Sequence, residues 1–268
     1  MFYNAKNGKI DIENTYIDYI SFGKGNKNLI MIPGLGEGLT SFKGLAAPLS
    51  IMYNMFAKEY KIFIFSRRKL IPEGFSTKDM ADDLKKVMDF LEIDNAHIIG
   101  VSQGGMIAQH LAINYPEKIN KLVLVVTVAR KNKIMENCIA KWVSLAENKE
   151  FEAIMLDTAE KSYVGKYLEK SKKVSEAMAP LGKNATYDRF IVQAKACGKH
   201  NTYDELHKIK ARTLIIGAGQ DKVLGIEGSL DLAEKIKLSE LYIYDEYSHG
   251  VYEQAKDFNK RIFEYLKK

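Results

Sequence analysis

Short runs of β-branched and aromatic residues recur toward both ends of the chain, separated by stretches in which apolar residues return every three or four positions. TYIDYISF (15–22) alternates like a half-exposed strand, and LIMIP (29–33) is a continuous apolar run. KIFIF (61–65) predicts another strand. Residues 76–91 then carry Met80, Leu84, Val87, Met88 and Leu91, the stripe of an amphipathic helix. AHIIGV (96–101) and KLVLVV (121–126) read as buried strands flanking a helix that starts near Ser102 and stops before Pro116. RTLIIG (212–217) and ELYIY (240–244) are two more, with a helix near 226–237 between them and a last helix from about Tyr252 onward. Strand alternating with helix predicts a mostly parallel sheet covered on both faces.

The stretch 130–210 breaks that rhythm. It holds no convincing strand, only the amphipathic segments IMENCIAKWVSLAE, FEAIMLDTAEKS, YVGKYLEKSKKVSEAM and TYDRFIVQAKAC. Helix placed between two sheet strands reads as an inserted cap. The expected organisation is therefore a core of residues 1–129 and 211–268 with a helical cap, or lid, over 130–210. No internal repeat or low-complexity linker interrupts it.

Composition adds little. Hydrophobic residues at 46% and charged residues at 28% suit a soluble globule with a sizeable core. The formal charge of +6 raises the question of nucleic acid. The lysines are spread along the chain among acids, with no basic block, RNA-binding aromatic signature or zinc spacing, so no nucleic-acid partner is expected. No run approaches the ~18 apolar residues of a membrane span. The N-terminus lacks a signal-peptide pattern, and Cys138 and Cys197 have no CxxC spacing, which points to a reducing compartment and a cytoplasmic protein.

The chemistry begins at HIIGVSQGGMIAQHLA, residues 97–112, where a strand ends in Gly100-Val101-Ser102-Gln103-Gly104, a G-x-S-x-G. In a sharp strand-to-helix turn the central residue takes a strained backbone, and the glycines keep neighbouring atoms apart. Alone the motif is weak, since a serine there also serves as a helix cap. A serine hydroxyl needs a base, and the base an orienting acid. His110 lies roughly 12 Å down the same helix at 1.5 Å per residue, and His97 about 16 Å back along the strand. His200 and His207 close the cap segment and read as surface or packing residues. His249, in DEYSHGVYEQ just after the last strand, falls at the same carboxyl edge of a parallel sheet as Ser102. For the acid, Asp221 in GAGQDKVLG follows strand 212–217; Asp245 competes from the tip of the next strand. Asp221 is preferred because the order Ser, Asp, His across successive strand ends is a known triad order. An early glycine loop, IPGLGEG (32–38), supplies backbone N–H groups, and the N–H of Leu35 and of Gln103 are candidate oxyanion donors. Glu37 in that loop reads as solvated.

Ser102, Asp221 and His249 in that order, with PGLG early and a helical insert after strand 121–126, resemble the α/β-hydrolase fold superfamily. The resemblance covers nearly the whole chain. It implies an eight-stranded, mostly parallel sheet with helices on both faces and its first strand antiparallel. It also implies no cofactor and no metal, with Ser102 as nucleophile, His249 as general base then acid, and Asp221 as its orienter. The expected activity is hydrolysis of a small carboxylic ester or thioester through an acyl-enzyme. A carbon–carbon bond hydrolase, lyase or cofactor-free peroxidase on the same triad, or a low-turnover ligand-binding or signalling module, are the alternatives. Trp142, Tyr163 and Phe190 are candidates for an apolar acyl pocket, though aromatic residues on amphipathic helices are more often core. Two departures stand out. The family's His-Gly is Pro33-Gly34 here, and its D-x-x-G-x-G-x-S loop is SRRKLIPEGFS (66–76), with Ser66 for the aspartate. Arg67 and Arg68 in that loop read as solvated, with recognition of an acidic substrate group as the other possibility.

Overall fold

The computed structural model describes residues 3–268. Eight strands form one sheet: β1 (Lys6–Ile12), β2 (Thr15–Phe22), β3 (Lys27–Ile32), β4 (Tyr60–Phe65), β5 (Ala96–Val101), β6 (Ile119–Val125), β7 (Arg212–Ala218) and β8 (Ser239–Tyr244). Their spatial order is β1-β2-β4-β3-β5-β6-β7-β8. All pairings from β4 to β8 are parallel, while β2 pairs antiparallel with both β1 and β4. The strand that runs against the rest is thus β2 and not the first. The two residues 13–14 turn β1 straight back onto β2, so β1 points the same way as β4.

The C-terminal halves of the central strands are apolar at every position because both faces are covered there. Successive side chains point to opposite faces. In β6, Leu122 and Leu124 pack in one core layer, and Val123 and Val125 in the other. Ile215 and Ile216 of β7 divide in the same way. After two short helices, α1 (Ala46–Met52) and α2 (Asn54–Ala57), come α3 (Thr77–Phe90) and α4 (Gln103–Asn114), which close the first layer through Val87, Met88, Ile107 and Leu111. The second is closed by the C-terminal helix Phe258–Lys267 and by Phe56 of α2. Each fully buried aliphatic side chain contributes about 1.5–3 kcal/mol relative to exposure. The helix α3 starts where the sequence marks it: Ser76 accepts from the Asp79 N–H and Asp79 reaches back to the Ser76 N–H, a reciprocal cap.

Between β6 and β7 the chain makes four longer helices, Lys133–Glu147, Phe151–Ser162, Gly165–Met178 and Tyr187–Gly198. They surround their own apolar cluster, which includes Met135, Trp142, Ile154 and Phe190. The segment leaves and returns at one place, since Arg130 and Asn201 form an antiparallel bridge and the Thr202 N–H donates to the Ala129 carbonyl at 2.7 Å. Trp142 and Phe190 are core residues of this layer, the Trp142 Nε1–H bonding Asp157 at 2.7 Å. Among the described residues no helix is long and apolar enough to cross a membrane.

Two histidines sit inside the fold as neutral rings. His200 is buried with Nδ1 2.9 Å from Thr77 Oγ1, and His97 packs edge-on against Tyr60. Burial pushes the His97 imidazolium down to about 4 and that of His200 down to about 3. An unfolded histidine titrates near 6.5. Below that value the unfolded chain binds protons that the native rings refuse, so stability falls as pH drops from about 6.5 toward about 4. Urea midpoints at neutral and mildly acidic pH will show this decline. A midpoint that stays constant until the carboxylates titrate would contradict it.

Candidate active site

Ser102 occupies the junction of β5 and α4 with φ 53° and ψ −119°. Such a backbone costs on the order of 1–3 kcal/mol for a residue with a Cβ, and the surroundings enforce it. The Ser102 N–H donates to the Val125 carbonyl at 2.9 Å, and the Ser102 carbonyl accepts from Thr127 Oγ1 at 2.8 Å. The flanking glycines are required by contact. A Cβ on Gly104 would lie 2.0 Å from the Ile32 carbonyl oxygen, and one on Gly100 would lie 2.6 Å from the Gly104 carbonyl oxygen. Val126, at the tip of the neighbouring β6, also has a positive φ, 39°. For a β-branched residue that is a true outlier, and no sequence feature announces it.

The loop after β3 abuts the serine. A Cβ on Gly34 would stand 3.4 Å from Ser102 Cβ and 3.9 Å from Ser102 Oγ. Leu35 opens a 3-10 turn, Leu35–Gly38, and Gln103 opens α4. The first N–H groups of a helix have no partner within it, and neither turn has a side-chain cap. The two backbone N–H groups singled out in the sequence therefore belong to the first residues of their helices, Gln103 directly after Ser102 and Leu35 directly after Gly34.

Asp221 and His249 come together at the ends of β7 and β8. His249 Nδ1 is 2.8 Å from Asp221 Oδ2, and both side chains are buried. The other carboxylate oxygen, Oδ1, accepts from the Val223 and Leu224 N–H groups at 2.8 and 2.9 Å. The acid is thus clamped on one oxygen and presents the other to the ring. The buried Ser248 hydroxyl donates to the Gln220 carbonyl at 2.7 Å, joining the two loops. Asp245 is exposed, and no hydrogen bond joins it to His249. The helical segment also reaches the histidine loop. The Gly250 N–H donates to the Ser162 carbonyl at 2.7 Å, and Tyr163 lies against Gly250 with its hydroxyl on Glu253. Of the three aromatic candidates, Tyr163 lies against the histidine loop, while Trp142 and Phe190 share an apolar cluster with Leu35, Val223 and Leu224.

The readings of Glu37, Arg67 and Arg68 as solvated are wrong. The Glu37 side chain is 0% exposed and is gripped by Arg189 of helix Tyr187–Gly198, whose Nη2 lies 2.5 and 2.7 Å from its two oxygens. Arg68 makes a two-point pair with Asp83 at 2.6 and 2.5 Å and stacks on Phe75. Arg67 is buried and donates through Nη2 to the Pro33 carbonyl at 2.6 Å and to Gln103 Oε1 at 3.3 Å. Gln103 passes the connection on, from Nε2 to the Gln193 carbonyl and to Cys197 Sγ. Burial pushes the Cys197 thiol up to about 11 and the Cys138 thiol up to about 12, so neither is a ready nucleophile. Among the described residues no group of three or more His, Cys, Asp or Glu is placed to hold a metal ion.

A family profile described as alpha/beta hydrolase fold matches residues 27–256, and the chain belongs to that family. It is 22% identical to 3-oxoadipate enol-lactonase 2 of Acinetobacter baylyi over 96% of this chain and 95% of that one. It is 26% identical to 2-hydroxymuconate semialdehyde hydrolase of a Pseudomonas strain, over 89% and 86%. Among solved structures, MGS-M2, an alpha/beta hydrolase enzyme from a Medee basin deep-sea metagenome library, superposes with a TM-score of 0.87 at 21% identity, covering 97% of this chain and 98% of that one. The family is one of hydrolases, and these two relatives bear the names of an enol-lactonase and a semialdehyde hydrolase.

Proposed function

We propose that the chain is a serine hydrolase of small carboxylic esters or thioesters, with Ser102 as nucleophile, His249 as base and Asp221 as orienter. The observation that carries this reading is the 2.8 Å pairing of His249 Nδ1 with a doubly clamped Asp221, on the sheet edge that presents the strained Ser102. Asp221 holds the proton on Nδ1, which leaves Nε2 free to take the Ser102 proton as Oγ attacks the carbonyl carbon. The oxyanion is received by the N–H groups of Leu35 and Gln103. Collapse expels the alcohol or thiol with the proton from His249 and leaves an acyl-enzyme, which water hydrolyses by the same route. Residues 130–210 act as the cap, resting on the oxyanion loop through Arg189 and on the histidine loop through Ser162.

Asp221→Asn is expected to lower kcat on the order of 10⁴-fold by favouring the wrong tautomer of His249. Full activity in a folded Asp221→Asn protein would move the acid elsewhere, Asp245 being the first place to look. Carbon–carbon bond cleavage is the second reading, supported by the 2-hydroxymuconate semialdehyde hydrolase relative. A panel of nitrophenyl esters of rising chain length, an enol-lactone, acyl thioesters and a vinylogous 1,5-diketone separates the two. The proposal expects turnover of the oxygen or sulfur esters and little of the diketone. The reverse order would establish the second reading in its place.

A further inference from the structure

At the Leu35–Gly38 turn, two buried arginines meet a single buried carboxylate, and only one of their guanidinium groups bonds it. Arg67 and Arg189 are 6% and 8% exposed, and Glu37 is the acid between them. Arg189 takes both oxygens of Glu37, whereas Arg67 reaches that carboxylate only through its backbone N–H, at 3.3 Å. The Arg67 side chain bonds two neutral acceptors, Pro33 O and Gln103 Oε1. Its Nε and the hydroxyl of the adjoining Ser66, itself 5% exposed, have no partner in the protein. Asp83 is taken by Arg68. Two buried positive charges against one negative leave an excess cation, and an unmatched buried charge is among the costliest things a fold can hold. Burial accordingly pushes Arg67 down to about 10, against the pull of Glu37.

Beside Arg67 lies a cavity of about 210 Å³, floored by Ser66, Arg67 and Arg189 and opening past the exposed Ser41 and Lys69. Neither Ser102, Asp221 nor His249 lines it. We propose that this cavity is an anion site, taking a small carboxylate or phosphate group against the Arg67 and Arg189 side chains that line it. The ligand supplies the negative charge that Ser66, standing where the related loop carries an aspartate, does not. Lys69 adds attraction at the mouth, and the half-buried Asp18 on the wall disfavours highly charged polyanions. Because Arg67 also grips Pro33 and Gln103, occupancy is tied to the loop that leads to Leu35 and to the helix start at Gln103, where the candidate oxyanion donors lie. The site does not depend on the hydrolase mechanism, and binding is read without turnover.

The test is titration calorimetry with inorganic phosphate, acetate and succinate at constant ionic strength, with chloride as control. Wild-type protein is expected to saturate with at least one of them, and whichever binds tighter names the source as a phosphate or a carboxylate. Arg67→Gln removes a charged donor and is expected to weaken binding roughly tenfold or more, and Lys69→Ala by several-fold. Should Arg67→Gln fail to fold, Ser41→Trp blocks the mouth without touching the buried pair and is expected to abolish the signal. No saturable heat from any anion, or heat unchanged by Lys69→Ala and Ser41→Trp, would overturn the proposal. Either result would mean that water alone serves these groups.

Discussion

Ser102→Ala is expected to lower kcat on a nitrophenyl ester on the order of 10⁶-fold while leaving the fold intact. The residual rate comes from donors and binding that remain after the nucleophile is gone. Alanine keeps the Cβ, so the backbone at φ 53°, held by Val125 and Thr127, is unchanged. Equal losses are expected for His249→Ala, because nucleophile and base act as a unit and their effects do not add. Circular dichroism should match wild type for both, and the urea midpoint should match wild type for Ser102→Ala. A Ser102→Ala protein that keeps wild-type turnover would remove the serine from the mechanism.

Glu37→Gln carries the largest expected effect on stability. It leaves Arg67 and Arg189 buried side by side with no carboxylate, and breaking one side of a buried pair costs about 3–5 kcal/mol. For a chain of this size that is a fall in Tm of roughly 10 °C. The double replacement Glu37→Leu with Arg189→Met should cost much less than the sum of the two singles, since the partners couple directly. The pair also joins helix Tyr187–Gly198 to the turn that bears Leu35. Calorimetric scans of the four proteins in the cycle measure the coupling. Additive effects would show that the pair is surface-like in energy, despite its burial.

The strands of the parallel core were legible because a strand buried on both faces has no polar position to hide it. The four helices between β6 and β7 were legible for a related reason, each having one apolar stripe long enough to read. The elbow could be read from Gly100 and Gly104, whose missing side chains make room for the Ile32 and Gly104 carbonyls. Strand β1 escaped because KNGKIDI buries only Ile10 and Ile12 at the edge of the sheet. Glu37 escaped because a charge in a glycine loop reads as solvated until its partner is known. That partner, Arg189, lies 152 residues away on another element. Arg67 and Arg68 escaped in the same manner, their acceptors being Pro33, Gln103 and Asp83. Sequence pattern registers which residues avoid water; it does not register which charges find each other in the folded chain.

The central claim is that Ser102 is an activated nucleophile, and labelling with a fluorophosphonate read by intact mass tests it most directly. A single adduct is expected on wild type, none on Ser102→Ala and sharply slowed labelling on His249→Ala. A folded wild-type protein that takes no label, or a Ser102→Ala protein that labels equally well, would contradict it.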